Sequence, residues 1–96
     1  MATATFHLAE ARKEQGNFNH AESLYDQALT MAQQDHLQSL ECEALIGMAK
    51  LLGEIDKKRA KQYVVQAVEV AKAIKNPQLL KRTNDVIAGL DINEGK

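Results

Sequence analysis

Apolar residues recur at spacings of three and four along nearly the whole chain, which is the periodicity of an amphipathic α-helix. Polar or helix-breaking residues interrupt this pattern at four places, so the sequence predicts five helices. The four interruptions are Gln15-Gly16-Asn17, Asp35, Gly53 and Asn76-Pro77. We expect a first helix from about Thr5 to Glu14, a second ending near Gln34, a third ending at Gly53, a fourth after Asp56 and a fifth after Pro77, with the tail INEGK frayed.

Small polar residues near the helix starts are candidate caps, because their side chains accept hydrogen bonds from the first free backbone N–H groups. Gly16 can adopt the left-handed conformation that ends a helix. Pro77 fits the first turn of a helix and disfavours helical geometry at Asn76. The expected caps are Thr3 or Thr5, Asn17 or Asn19, Asp35 with Gln38 completing a capping box, and Asp56.

The second and fourth predicted helices carry the same pattern, 39 positions apart. A looser match at 41 positions aligns the third helix with the fifth, with Leu45, Ile46 and Gly47 on Val86, Ile87 and Ala88. Repetition at this period is typical of stacked helical arrays. The positions aligned at 39 are Ala21 with Ala60, Leu24 with Tyr63, Tyr25 with Val64, Gln27 with Gln66, Ala28 with Ala67, Leu29 with Val68, Met31 with Val70 and Ala32 with Ala71.

The repeated pattern alternates small and large residues, as in Ala21, Tyr25 and Ala28. An alanine lets a partner helix approach closely, and a large residue one turn later fills the groove beside it. Each hairpin leaves one apolar face uncovered, so hairpins must stack and an odd fifth helix would cover the last face. We therefore predict an all-α fold, an α-α superhelix of stacked antiparallel helix hairpins with about five helices.

The residues of the first two helices resemble the tetratricopeptide repeat family. A second repeat matches less closely, because two extra residues lie between Gly53 and Ala60 and the aromatic Tyr63 is shifted by one. Ala88 stands in the small position of a lone third unit. The residues that carry the resemblance are Leu8, Ala9, Gly16, Phe18, Ala21, Tyr25 and Ala28 in the first repeat, and Gly47, Ala60, Val64 and Ala67 in the second.

The period exceeds the family's usual 34 residues and is similar to the variants of about 40 residues in kinesin light chains and bacterial regulatory proteins. The resemblance implies a single domain over 1–96 with two and a half repeats. These are repeat 1 over about 2–36, repeat 2 over about 37–76 and a capping helix over about 77–91.

The resemblance also implies a scaffold that holds a partner on the concave surface formed by the first helix of each pair. One family mode clamps a terminal carboxylate with lysines and asparagines, but Glu10 stands at an asparagine position and we expect no basic cluster in the groove. A mildly apolar groove with acidic edges suits an amphipathic helix with basic flanks. The alternative is that Met48 and Leu51 are simply core. The candidate partner-binding residues are Phe6, Glu10, Lys13, Ala44, Met48, Leu51 and Asp85.

Charge is distributed unevenly along the chain. Residues 1–48 hold two basic against seven acidic residues, and residues 49–96 hold ten basic against six acidic. We interpret this uneven charge as two solvated faces. The alternative is that the oppositely charged ends mediate head-to-tail association into a homo-oligomer. A basic run in the fourth helix is either solvated surface or a patch for acidic partners; without interleaved aromatics it does not favour nucleic acid. The run is Lys57, Lys58, Arg59 and Lys61.

The sequence does not carry the patterns of an enzyme or a metal site. The three histidines lack the spacing of metal ligands, and we find no phosphate-binding glycine loop or nucleophile elbow. Cys42 stands between Glu41 and Glu43, which would raise the pKa of its thiol. We therefore expect no catalysis, no metal and no cofactor.

A single cysteine excludes an intrachain disulfide and fits a reducing compartment. No apolar run approaches the length of a membrane span, and MATATFHLAEARK lacks the features of a signal peptide. We expect a cytoplasmic protein–protein interaction module, an adaptor or scaffold that docks a partner helix or peptide. The alternatives are a peptide-sensing regulatory domain of a bacterial-type regulator and a self-associating assembly module.

Overall fold

The fold is all-α, as predicted. The computed structural model describes residues 2–53 and 55–91, so the predicted fraying of the tail INEGK lies outside the described residues. Within those ranges every regular element is a helix. The five helices are α1 (Ala2–Glu14), α2 (Phe18–Gln34), α3 (Gln38–Leu52), α4 (Lys57–Ala73) and α5 (Pro77–Asp91).

The helix boundaries repeat at one offset. Helices α2 and α4 both have 17 residues, α3 and α5 both have 15 residues, and each pair is related by a shift of 39 positions. The boundaries of the third and fifth helices do not follow the predicted shift of 41, although that shift does align buried Leu45 and Ile46 with half-buried Val86 and Ile87. A shift of 39 instead places Gly47 on half-buried Val86.

Three of the four turns share one hydrogen-bonded geometry, in which a residue of positive φ follows the helix. Gly16 has φ +83°, His36 has φ +59° and Lys75 has φ +55°. After each of them, the next N–H donates to a carbonyl five residues back, over 2.9 Å for Asn17 to Arg12. This is the Schellman arrangement, which satisfies the free carbonyls of a helix end. The prediction for Gly16 is confirmed, and the same geometry at His36 and Lys75 was not predicted.

Two helices begin with a side-chain cap. The Asp56 carboxylate accepts from the Arg59 N–H at 3.3 Å, as predicted. The Asn76 side-chain oxygen accepts from the N–H groups of Gln78 and Leu79, both at 3.1 Å. These bonds satisfy donors in the first turn, where a helix has no internal acceptor for them.

Other predicted caps were wrong. Asp35 ends α2 instead of starting α3, whose cap position is Leu37 without a side-chain bond. The reason is that the turn after α2 uses three residues for its own Schellman bonds before α3 begins. Thr3 and Thr5 lie inside α1. The predicted position of Asn17 at the start of α2 is confirmed, but its side chain makes no capping hydrogen bond.

Each helix packs against the next in the chain, and α3 also contacts α1 and α5. Helices α1, α3 and α5 therefore lie side by side in one layer, with α2 and α4 in a second. The Cα trace extends over 41 × 33 × 17 Å, and a depth of 17 Å fits two layers of helices packed about 8–10 Å apart. Helix α3 is central, and nine of its 15 residues are buried.

The two outer helices have equivalent surroundings. Helix α2 lies against α1 and α3, and α4 lies against α3 and α5. Ala28 and Ala67, equivalent at the shift of 39, are both fully buried. This equivalence confirms the predicted stacking of hairpins. No helix in the described part of the chain is both long and apolar enough to cross a bilayer.

Helix α5 presents a polar outer face. The side of α3 that meets α4 is marked by Cys42, whose thiol donates to the carbonyl oxygen of Ala67 at 3.4 Å. At the shift of 39, the buried residues on that side of α3 correspond to exposed and mostly polar residues of α5. Helix α5 therefore covers α4 but does not offer the apolar face on which a further helix would need to pack. The equivalents are Cys42 and Lys81, Leu45 and Asn84, Ile46 and Asp85, and Ala49 and Ala88.

Candidate functional site

A groove of about 640 Å³ lies between the helices of the first layer, and we call it the α1–α3–α5 groove. It lies near the C-terminal ends of α1 and α3, and Phe18, the first residue of α2, forms one wall. Its volume falls within the range of clefts that hold ligands. The residues that line it are Lys13, Phe18, Ala49, Lys50, Leu51, Gly53, Arg82, Asp85, Val86 and Gly89.

Some predicted partner-binding residues meet in this groove. Lys13, Leu51 and Asp85 line it together, although they come from three different helices. Gly89, one turn after Asp85, lines it as well. The first helices of successive hairpins therefore do form a common concave surface.

The other predicted partner-binding residues do not line this groove. Phe6 and Ala44 are buried, with 5% and 1% exposure, and Phe6 packs edge-on against Tyr25 with ring centroids 5.9 Å apart. Met48 is buried too, and half-buried Glu10 accepts a long hydrogen bond from the Tyr25 hydroxyl at 3.5 Å. The predicted stripes are real helical stripes, but Phe6, Ala44 and Met48 are covered by the packing of the helices, and Leu51, although it lines the groove, is itself only 4% exposed.

The charge of the groove is opposite to the prediction. Three cationic side chains line it, Lys13, Lys50 and Arg82, against the single carboxylate of Asp85. Among the described residues, none of these three cations forms an ion pair. The expected acidic edges and missing basic cluster were therefore wrong. Sequence reasoning overlooked Lys50 beside Leu51, and Arg82 one turn before Asp85 on the same side of α5.

A second, smaller groove of about 300 Å³ separates α2 from α4. The Arg59 guanidinium and the Glu22 carboxylate form an ion pair across it, with Nη2 and Oε2 2.7 Å apart. This hydrogen bond raises the pKa of Arg59. The lining residues are Asn19, Glu22, Ser23, Asp26, Met48, Arg59 and Tyr63.

The ion pair divides the predicted patch for acidic partners. Arg59 is engaged by Glu22 of the same chain, and half-buried Lys61 has interactions of its own. Lys57 and Lys58 are exposed on the first turn of α4. The patch is therefore not a continuous set of four available cations.

Cys42 has the character of a core residue. It is fully buried, and burial is the main factor that raises the pKa of its thiol, with smaller contributions from Glu43 and Glu41. The predicted direction is confirmed, although the larger cause is burial. A protonated, enclosed thiol is a poor nucleophile.

Tyr25 is also enclosed. Burial raises the pKa of its phenol, and the charges of Glu10 and Glu14 raise it further. Its hydroxyl therefore remains protonated and serves packing in the first hairpin. Within residues 2–53 and 55–91, no three His, Cys, Asp or Glu side chains are grouped so that they could hold a metal ion. Comparison of the chain with protein-family models, curated protein sequences and solved structures found no significant match.

Proposed function

We propose that this protein is a protein–protein interaction module, an adaptor that docks a segment of a partner in the α1–α3–α5 groove. The observation that carries the proposal is the meeting, in one concave surface, of apolar side chains with cationic side chains that form no ion pair with a described residue. Phe18 and Val86 supply accessible apolar surface, and binding in such a cleft gains free energy from burial of the partner's apolar groups.

The hairpins that form this surface are, in our proposal, tetratricopeptide-like repeats of a long variant. The supporting observation is the common offset of 39 residues in helix boundaries, turn geometry and the buried alanines Ala28 and Ala67. Such arrays use rigid, stacked helices to present an extended surface. The module acts through binding and not catalysis, in agreement with a buried Cys42 thiol, and we assign it to the cytoplasm.

Two alternatives are less well supported. End-to-end assembly of copies through α5 conflicts with the polar outer face formed by Lys81, Asn84 and Asp85. A peptide-sensing regulatory domain would use the same groove and would change the curvature of the stack on binding. Small-angle scattering of the free and bound protein separates the adaptor, which keeps its dimensions, from the sensor, which does not.

The proposal is tested by capturing partners with the wild-type protein and with two charge-reversal variants. Lys13→Glu combined with Arg82→Glu changes the groove, and Lys57→Glu combined with Lys58→Glu makes the same change of charge on exposed residues outside its lining. We expect a partner that the wild type and the second variant retain and the first variant loses. Equal capture by all three proteins would contradict docking in the groove.

A further inference from the structure

We propose that the occupant of the α1–α3–α5 groove is an acidic amphipathic segment of a partner protein. Its side-chain carboxylates would lie against Lys13, Lys50 and Arg82, and its apolar side chains against Phe18 and Val86. This inference rests on the proposed function and deepens it, because it states which chemistry the groove selects.

The first argument is the excess of positive charge among the residues that line the groove. Three cations line the groove against one carboxylate, and none of the three is engaged in an ion pair with a described residue. In the separate groove between α2 and α4, by contrast, Arg59 is paired with Glu22 at 2.7 Å. Like charges gathered in a concave surface repel one another and focus the field outward, so this groove attracts anionic groups and repels cationic ones.

The second argument is the apolar surface beside the charges. Phe18 is 43% exposed although it is a large aromatic residue, and it shares the groove with Val86, which is half-buried. An aromatic side chain left open in a cleft can bury substantial area against a ligand at low cost in conformational entropy. A purely polar anion would leave this surface exposed to water, and a purely apolar segment would desolvate the cations without pairing them.

The third argument is the shape of the surface. The cations come from α1, α3 and α5, and they surround a cleft of about 640 Å³. A cleft of this kind accepts side chains projecting from a segment, as in recognition of an amphipathic helix by its repeated anchors. Because it is concave, it does not fit a flat anionic bilayer.

The experiment compares three labelled peptides of equal length by fluorescence anisotropy, with the full chain. The first peptide has Glu and Leu at helical spacing, the second replaces each Glu with Lys, and the third replaces each Leu with Ser. We expect the acidic amphipathic peptide to bind about tenfold or more tightly than either of the others, and its affinity to fall as the salt concentration rises. An amidated C-terminus on all peptides ensures that only side-chain carboxylates are tested.

Matched variants assign the binding to the groove. Lys13→Glu with Lys50→Glu should weaken binding of the acidic peptide about tenfold or more, whereas Lys57→Glu with Lys58→Glu should change it by less than about twofold. Phe18→Ala should weaken binding, whereas Val65→Ala, which removes an exposed apolar residue outside the groove lining, should not. Circular dichroism verifies that each variant is folded. If the variant with Lys13→Glu and Lys50→Glu does not fold, the single variant Arg82→Glu is used to repeat the test.

The outcomes distinguish this inference from the proposed function. If the Lys peptide binds more tightly and perturbs the backbone amides of Phe18 and Val86, docking in the groove stands and its acidic selectivity is overturned. If anionic vesicles bind with the expected dependence on the variants while the acidic peptide does not, the peptide assignment is likewise overturned. If no peptide perturbs the groove amides and no partner is lost by the Lys13 and Arg82 variant, the proposed function itself fails.

Discussion

Gly47 of α3 lies directly against the aromatic ring of Tyr25 on α2. A Cβ atom placed on Gly47 would be 2.5 Å from Cε1 of the tyrosine and 2.9 Å from its Cζ. Tyr25 is itself fully buried and packs against Phe6. The close approach of α2 and α3 therefore depends on the absence of a side chain at position 47. At the shift of 39, the equivalent pair is Val64 and Val86, so the sequence replaces one very large and one very small residue with two of medium size.

The substitution Gly47→Ala should destabilise the protein by about 1–2 kcal/mol. Overpacking against the enclosed ring costs about 1–3 kcal/mol, and the better helix propensity of alanine offsets part of this. Chemical denaturation measures the effect. Gly89→Ala is the matched control, since no atom of the described residues lies within 4 Å of the added Cβ, and it should be neutral or stabilising by up to about 1 kcal/mol. Equal effects of the two substitutions would show that the close approach is unimportant.

Glycine should stabilise the turns that hold a non-glycine residue at positive φ. His36 and Lys75 occupy the left-handed region at +59° and +55°, where a side chain costs about 1–2 kcal/mol. Glycine avoids this cost, but it is more flexible in the unfolded chain, which offsets part of the gain. We therefore expect His36→Gly and Lys75→Gly each to raise the free energy of unfolding by about 0.5–1 kcal/mol. His20→Gly, inside α2, should lower it by about 1 kcal/mol. Thermal unfolding monitored by circular dichroism tests the contrast, and lower stability of both turn variants would contradict it.

The helix caps predict that alanine substitutions at their positions will lower stability by different amounts. Asn76→Ala and Asp56→Ala each remove side-chain hydrogen bonds to a first turn, so each should cost about 1 kcal/mol. Asp35→Ala should change stability by less than about 0.5 kcal/mol, because exposed Asp35 does not cap α3. Urea denaturation of the three variants provides the measurement. A cost at Asp35 equal to that at Asn76 would restore the capping role that the sequence suggested.

Stability should fall at alkaline pH through the enclosed Tyr25. Burial, followed by the charge of Glu10, raises the pKa of its phenol above the ordinary value of 10.0. The stabilisation from the protonated phenol is therefore fully present below pH 10 and is lost as the pH rises towards the pKa of the folded protein. Cys42 contributes a loss of the same sign above its ordinary value of 9.0, because its pKa is also raised.

Denaturation of the wild type and of Tyr25→Phe across this pH range isolates the tyrosine contribution. We expect the free energy of unfolding of the variant to decline less steeply above pH 10 than that of the wild type. The 3.5 Å hydrogen bond to Glu10 is weak, so the variant should remain folded at neutral pH. Parallel declines would mean that the hydroxyl is open to water in the folded protein.

The sequence by itself determined the features that depend on neighbouring residues. Helix periodicity, the left-handed Gly16, the Asp56 cap and the Asn76-Pro77 boundary involve interactions within a few positions of the chain. The internal repeat was also readable, because each hairpin must solve the same packing problem. The Schellman turn at His36 was not predicted, because only glycine and asparagine residues indicate a positive φ in a sequence.

Only the tertiary structure decided which faces stay open. Periodicity placed Phe6, Ala44 and Met48 on helical stripes, but whether a stripe contacts solvent depends on the helices that pack over it, and all three residues are buried. Contacts such as Glu22 with Arg59 join residues 37 positions apart, and no local pattern specifies them. The positive character of the groove arises in the same way: Lys13, Lys50 and Arg82 are ordinary surface residues on their own helices, and they become one site because stacking brings three helix surfaces together.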